Sequence, residues 1–168
     1  MPRVPGHVTA ALLAFALAVS ACSGSGAATP AAINGASQPP TLREDLGSTL
    51  VATADGQRLG LWHVRIAPGT KLSPHLHPGY QIARITAGTL TYSILEGEAL
   101  VIRADGTTET HGAPEVLTLR TGDTVVESPE LQHFGANDGS VEVEIYTSTL
   151  FTDGEAPSIP VKTPTPTP

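Results

Sequence analysis

The 168-residue chain has one cysteine, one methionine, one tryptophan and few aromatic residues of any kind, 4% in all. A single cysteine excludes an internal disulfide, so an exported domain built from this chain must be held by its own core. Basic residues are scarce: 9 lysines and arginines face 16 acids, the formal charge is −7, and no two basic side chains are adjacent. Nothing here offsets repulsion by phosphate, which excludes nucleic-acid binding. There is no Gly-x-Ser-x-Gly, no reactive-cysteine pattern and no phosphate-cradling glycine loop, so nucleophilic catalysis and nucleotide binding have no motif to rest on. Helical periodicity is missing too, because 17 glycines and 15 prolines interrupt the pattern too often.

What is present begins with MPRVPGH, then the apolar run VTAALLAFALAV, then VSAC with the sole cysteine, Cys22. Twelve apolar residues fall short of a helix crossing a core of roughly 30 Å but suit a secretory leader. Val19-Ser20-Ala21-Cys22 resembles the lipobox of bacterial lipoproteins, which implies lipidation of Cys22 and anchoring at the cell envelope. Residues 1–21 are therefore read as a lipoprotein signal peptide and 22–40, rich in Gly, Ser, Ala and Pro, as a flexible tether. At the far end, 154–168 finishes in alternating Thr and Pro and reads as a disordered tail. The folded domain is expected over 41–153.

Inside that window the apolar period is two. LGLWHVRIAPG sets Trp62, Val64 and Ile66 against Leu61, His63 and Arg65, and VEVEIYTSTLF sets Val141, Val143 and Ile145 against Glu142, Glu144 and Tyr146. QIARITAG, TLTYSILEG, ALVIRADG and EVLTLRTGD repeat the pattern between Gly and Asp-Gly turns. Eight or nine short strands and no helix predict an all-β fold, an antiparallel sandwich or closed barrel.

His75 and His77 are two residues apart, which on a strand puts both imidazoles on one face about 6.6 Å apart, close enough to share an ion. Pro78-Gly79 supplies a turn that lets Gln81 return toward the same point. Neutral imidazole nitrogens suit Zn, Cu, Fe, Ni and Mn. Another ligand would come from His63, His111 or His133. His63, on an alternating strand, reads as a packed or hydrogen-bonded surface residue, and His111, in a polar loop, as solvated.

The stretch Gly69-TKLSP-His75-Leu76-His77-PGY-Gln81-IARITA-Gly88 resembles the first motif of the cupin superfamily at every spacing, with glutamine standing for the usual glutamate. GDTVVESPELQHFGAN resembles the second motif. Gly122-Asp123 opens it, His133 stands at the family offset and Asn137 follows, while Pro129 is one residue late and Leu131 replaces the turn glycine. The resemblance covers roughly residues 45–150. It implies an antiparallel double-stranded β-helix, a cupin or jelly-roll barrel, with one divalent transition metal (Fe, Mn, Ni, Cu or Zn) held by His75, His77, Gln81 and His133. Either the Gln81 amide oxygen ligates without adding charge, or Gln81 hydrogen-bonds a bound molecule and three histidines remain. Ala83 and Ile85 share the face of Gln81 and are expected in the pocket, with Tyr80, Tyr92 and Phe134 as candidate walls. Glu96, Glu98, Glu127 and Glu130 read as solvated turn and rim acids.

Three functions stay open on this reading. The first is an envelope-tethered, metal-binding module that also takes a small molecule. The second is a metal-dependent dioxygenase of a diketone, phenol or flavonoid-like substrate, and the third a metal-free small-molecule or sugar-binding module. Family members often pair through outer strands, which makes a homodimer an option.

Overall fold

The computed structural model describes residues 39–161. The leader, Cys22, most of the tether and residues 162–168 lie outside the described residues. Twelve strands follow in order: β1 (Thr41–Leu50), β2 (Gln57–Ile66), β3 (His75–Leu76), β4 (Gly79–Ala87), β5 (Thr89–Glu96), β6 (Glu98–Ile102), β7 (Thr108–Gly112), β8 (Glu115–Arg120), β9 (Thr124–Glu127), β10 (Gln132–Ala136), β11 (Val143–Thr152) and β12 (Ile159–Pro160). No helix occurs among the described residues.

The strands form two antiparallel sheets in a jelly-roll barrel. The larger has the order β1-β2-β11-β4-β9-β6-β7 and the smaller β12-β3-β10-β5-β8. Period two decides which side chains face inward. Along β4, Gln81, Ala83 and Ile85 are buried while Tyr80, Ile82 and Arg84 are not. The larger sheet brings Ile66, Ile85, Val101, Val125 and Val143 into the core, and the smaller brings Leu90, Tyr92, Ile94, Leu117 and Leu119. Each aliphatic side chain so buried contributes roughly 1.5–3 kcal/mol.

Asp123 and Asn137 of the second motif hold the fold together. Asp123 accepts from the backbone N–H groups of Ala104 and Arg120, both at 3.0 Å, and from the Arg103 guanidinium at 3.2 Å. Asn137 donates to the carbonyls of Ile66 and Val141, both at 2.8 Å, and fastens β2 to the loop before β11. Gly88 joins β4 to β5 at φ 75°, and a Cβ there would lie 2.6 Å from the Glu142 carbonyl oxygen. Only glycine meets both conditions.

The domain runs past residue 153. Ile159 and Pro160 pair with Leu76 and His75, and the Val161 N–H donates to the Pro74 carbonyl at 3.1 Å. Proline is tolerated there because β12 is an edge strand. Composition pointed to a tail, but an edge strand accepts that composition.

Candidate metal centre

Three histidines meet at one end of the barrel. His75 lies on β3, His77 just after it and His133 on β10, where it is paired with His75. All three are buried, and each offers a nitrogen within 4.8 Å of those of the other two. The loop before His133 lacks the turn glycine and instead buries Leu131 completely. A register shift between Gln132 and His133 then accompanies the inward placement of the imidazole.

Their second nitrogens are committed to backbone carbonyls. His75 Nδ1 lies 2.8 Å from Ser73 O, His77 Nδ1 2.6 Å from Pro157 O, and His133 Nδ1 3.4 Å from Leu131 O. A carbonyl only accepts, so each Nδ1 carries a proton, and each ring in its neutral form turns an Nε2 lone pair into the cluster. Pro157 belongs to the segment read as tail. That segment therefore braces a site residue.

The electrostatics favour the neutral form of His75 and His133. Burial, followed by the neighbouring His133 and His77, lowers the His75 pKa from 6.5 to about 4. Burial also lowers that of His133, against the upward pull of Glu127. Convergent lone pairs on neutral imidazoles suit a divalent transition ion, so the residues fit such a metal.

The sequence reading missed Glu127. It is not a rim acid: it is 2% exposed and stands beside Gln81 in the β4–β9 register. One carboxylate oxygen accepts from the Gln81 amide at 2.7 Å and lies 3.2 Å from His77 Nε2. The other accepts from the Tyr92 hydroxyl at 2.9 Å and lies 3.4 Å from His133 Nε2. Burial alone would raise this carboxyl, but His133, His77 and the Tyr92 hydroxyl reverse the effect and bring it to about 2. Tyr92 moves the other way, pushed up first by burial and then by the Glu127 charge.

Gln81 is in the site, but its amide nitrogen faces both Glu127 and, at 3.3 Å, His77 Nε2. Its acceptor is a carboxylate of the chain itself, an arrangement that neither reading of Gln81 from the sequence named. Ala83, Ile85 and Tyr92 line the adjoining cavity. Tyr80 and Phe134 do not. Tyr80 is 57% exposed on the outer face of β4, one residue out of phase with Gln81, and Phe134 is out of phase with His133 and lies under Lys71. Phe151 stacks on His77, with ring centroids 5.4 Å apart.

His63 stays apart from the cluster, stacked on Tyr146 and 3.3 Å from Glu144. His111 is also apart, but it is paired rather than simply solvated. It bridges Glu109 at 3.0 Å and Glu115 at 2.9 Å, and these partners raise its pKa.

Beside the cluster opens a cavity of about 300 Å³ between the two sheets. Among the described residues, three side-chain atoms are buried without a hydrogen-bond partner: Arg43 Nε, Arg43 Nη2 and Thr147 Oγ1. Both side chains line this cavity. The Arg43 guanidinium stacks on Trp62 at 4.2 Å, and burial pushes its pKa down while Asp45 pulls it up.

No family model and no curated protein matches the chain. Among solved structures it is similar to a cupin-like protein from Thermotoga maritima, with 17% identity over 75% of this chain and 79% of that one and a TM-score of 0.49. It is also similar to the Cupin_2 domain of an XRE-family transcriptional regulator from Enterobacter cloacae, with 18% identity, 66% and 96% coverage and a TM-score of 0.44. A third neighbour is an oxalate oxidase in complex with the substrate analogue glycolate, with 20% identity, 71% and 55% coverage and a TM-score of 0.47. The chain thus spans about half the length of that oxidase. These structure neighbours are cupin-type proteins, and the likeness is one of fold.

Proposed function

We propose that the protein is a metal-binding barrel that holds one divalent transition ion through His75, His77 and His133 and takes a small anionic molecule in the adjoining cavity. The observation that carries the metal is the tautomer set: three Nδ1 atoms committed to backbone carbonyls, three Nε2 atoms converging in a buried site. A bound ion would supply Lewis acidity to whatever reaches it. The unpartnered Arg43 and Thr147 atoms support an occupant of complementary polarity, because buried donors without acceptors are costly. A guanidinium fork matches a carboxylate or similar oxyanion in particular.

Envelope tethering through a lipidated Cys22 belongs to the same reading and is supported by the leader and the VSAC sequence. The protein would then present its pocket at a membrane surface as a receptor or scavenger.

The test uses zinc-loaded protein and a panel of small mono- and dicarboxylates beside their uncharged amides, read as thermal protection. Carboxylates should raise the melting temperature, the amides should not, and R43Q should lose the difference. Equal protection by acids and amides would sink the anionic reading. Oxygen uptake by iron- or copper-loaded protein on diketones or phenols would favour the dioxygenase, and protection of metal-free protein alone would favour the metal-free receptor.

A further inference from the structure

We infer that Glu127 supplies the carboxylate of the metal site, so that the acid the first motif lacks at position 81 is contributed from the neighbouring strand. The inference rests on the metal reading above. In the β4–β9 register Gln81 and Glu127 are direct partners, and both side chains are buried inside the barrel. Their side-chain ends meet, with the amide nitrogen 2.7 Å from a carboxylate oxygen. An exchange between paired positions therefore moves the charge across one strand spacing, about 4.8 Å, and keeps it in the same site.

The distances suit coordination. Glu127 Oε2 is 3.2 Å from His77 Nε2, and Oε1 is 3.4 Å from His133 Nε2. Ligands bound at about 2.0–2.1 Å stand about 3.0 Å apart in an octahedron and 3.4 Å apart in a tetrahedron. These two separations have the length of a polyhedron edge, while the donors that all lie within 4.8 Å of one another are those of His75, His77 and His133, so Glu127 joins them from the His77–His133 side. The two separations also lie between lone pairs, because in the neutral rings the Nδ1 protons leave both Nε2 atoms as acceptors. A cation between them, a metal ion or a second proton on an imidazole, resolves that opposition. Among the described residues no lysine or arginine pairs with Glu127, and the basic groups beside it are His77 and His133.

Gln81 then acts as a positioning residue. It donates an amide N–H to Glu127 Oε2 while Tyr92 donates to Oε1, which fixes the carboxylate plane from both sides. Three neutral imidazoles and one carboxylate leave a divalent ion with a net charge of +1, as glutamate at position 81 would. The glutamine is therefore no loss of site charge.

Co2+ titration of the full chain tests this, because its visible absorption reports ligand type and geometry as well as affinity. Wild type should bind one Co2+. E127Q should bind at least about 100-fold more weakly with an altered spectrum, since losing a ligand exceeds the 10–100-fold typical of outer partners. Q81E/E127Q, which moves the acid back to β4, should recover affinity to within about tenfold of wild type. Should E127Q fail to fold, E127D serves in its place: it keeps the charge, shortens the reach and must shift the spectrum. Wild-type affinity and spectrum in E127Q or E127D would overturn the assignment while leaving the three histidines standing. A double variant no better than E127Q would also overturn it. A wild-type chain that takes up no Co2+ would overturn both this assignment and the metal reading.

Discussion

Cutting the chain after Asp153 is the perturbation that separates the compositional view of its C-terminal region from the structural one. The cut removes Pro157, whose carbonyl accepts from His77 Nδ1 at 2.6 Å, and β12, whose pairing supports β3 on the side away from β10. It also removes the Val161 N–H that donates to Pro74 O. Two or three hydrogen bonds at about 1 kcal/mol each predict a loss of about 2–3 kcal/mol in unfolding free energy. Freed from its carbonyl, His77 can carry its proton on either nitrogen, and loss of such an outer partner weakens metal binding by about 10–100-fold. Urea unfolding and calorimetric zinc titration of chains ending at 153 and at 161 give both numbers. The account expects the longer chain to match the full protein and the shorter one to fall short in stability and affinity together. Equal zinc affinity in both would refute the bracing role of Pro157.

Two further predictions concern the same end of the barrel. His75 has a folded pKa of about 4 against an ordinary 6.5, so its neutral form is favoured by folding. That contribution is complete above pH 6.5 and is lost as pH falls toward 4, by up to about 3 kcal/mol, and chemical unfolding of metal-free wild type against H75Q should show a shallower slope in the variant. Tyr92→Phe removes a donor from a buried ionised carboxylate, and urea unfolding should show a loss of about 1.5–3 kcal/mol; an unchanged midpoint would mean that Glu127 is not held as described.

Much of this was legible in the chain because period two is a strong signal. It placed Gln81, Ala83 and Ile85 on one inward face, and the motif spacing brought His75, His77 and His133 together across two strands. The same rule, applied consistently, would have excluded Tyr80 and Phe134, each one residue out of phase with a site residue, and would have turned Glu127 inward two positions after the buried Val125. A competing expectation prevailed there, namely that an acid without a basic partner stays in water. The partners that reverse it, Tyr92, Gln81 and two histidines, are distant in sequence and meet only once the strands pair. Pro157 was hidden for a similar reason. Its contribution is a backbone carbonyl, which no side-chain pattern reveals.

The central claim is that this cluster holds a metal, and the most direct measurement is metal content by plasma mass spectrometry of protein purified without chelator or affinity metal. The account predicts close to one equivalent of a single divalent transition ion per chain, lost in H75A/H77A. Protein that is empty as isolated and stays empty after exposure to Fe2+, Mn2+, Ni2+, Cu2+ or Zn2+, or metal retained by the double variant, would contradict it.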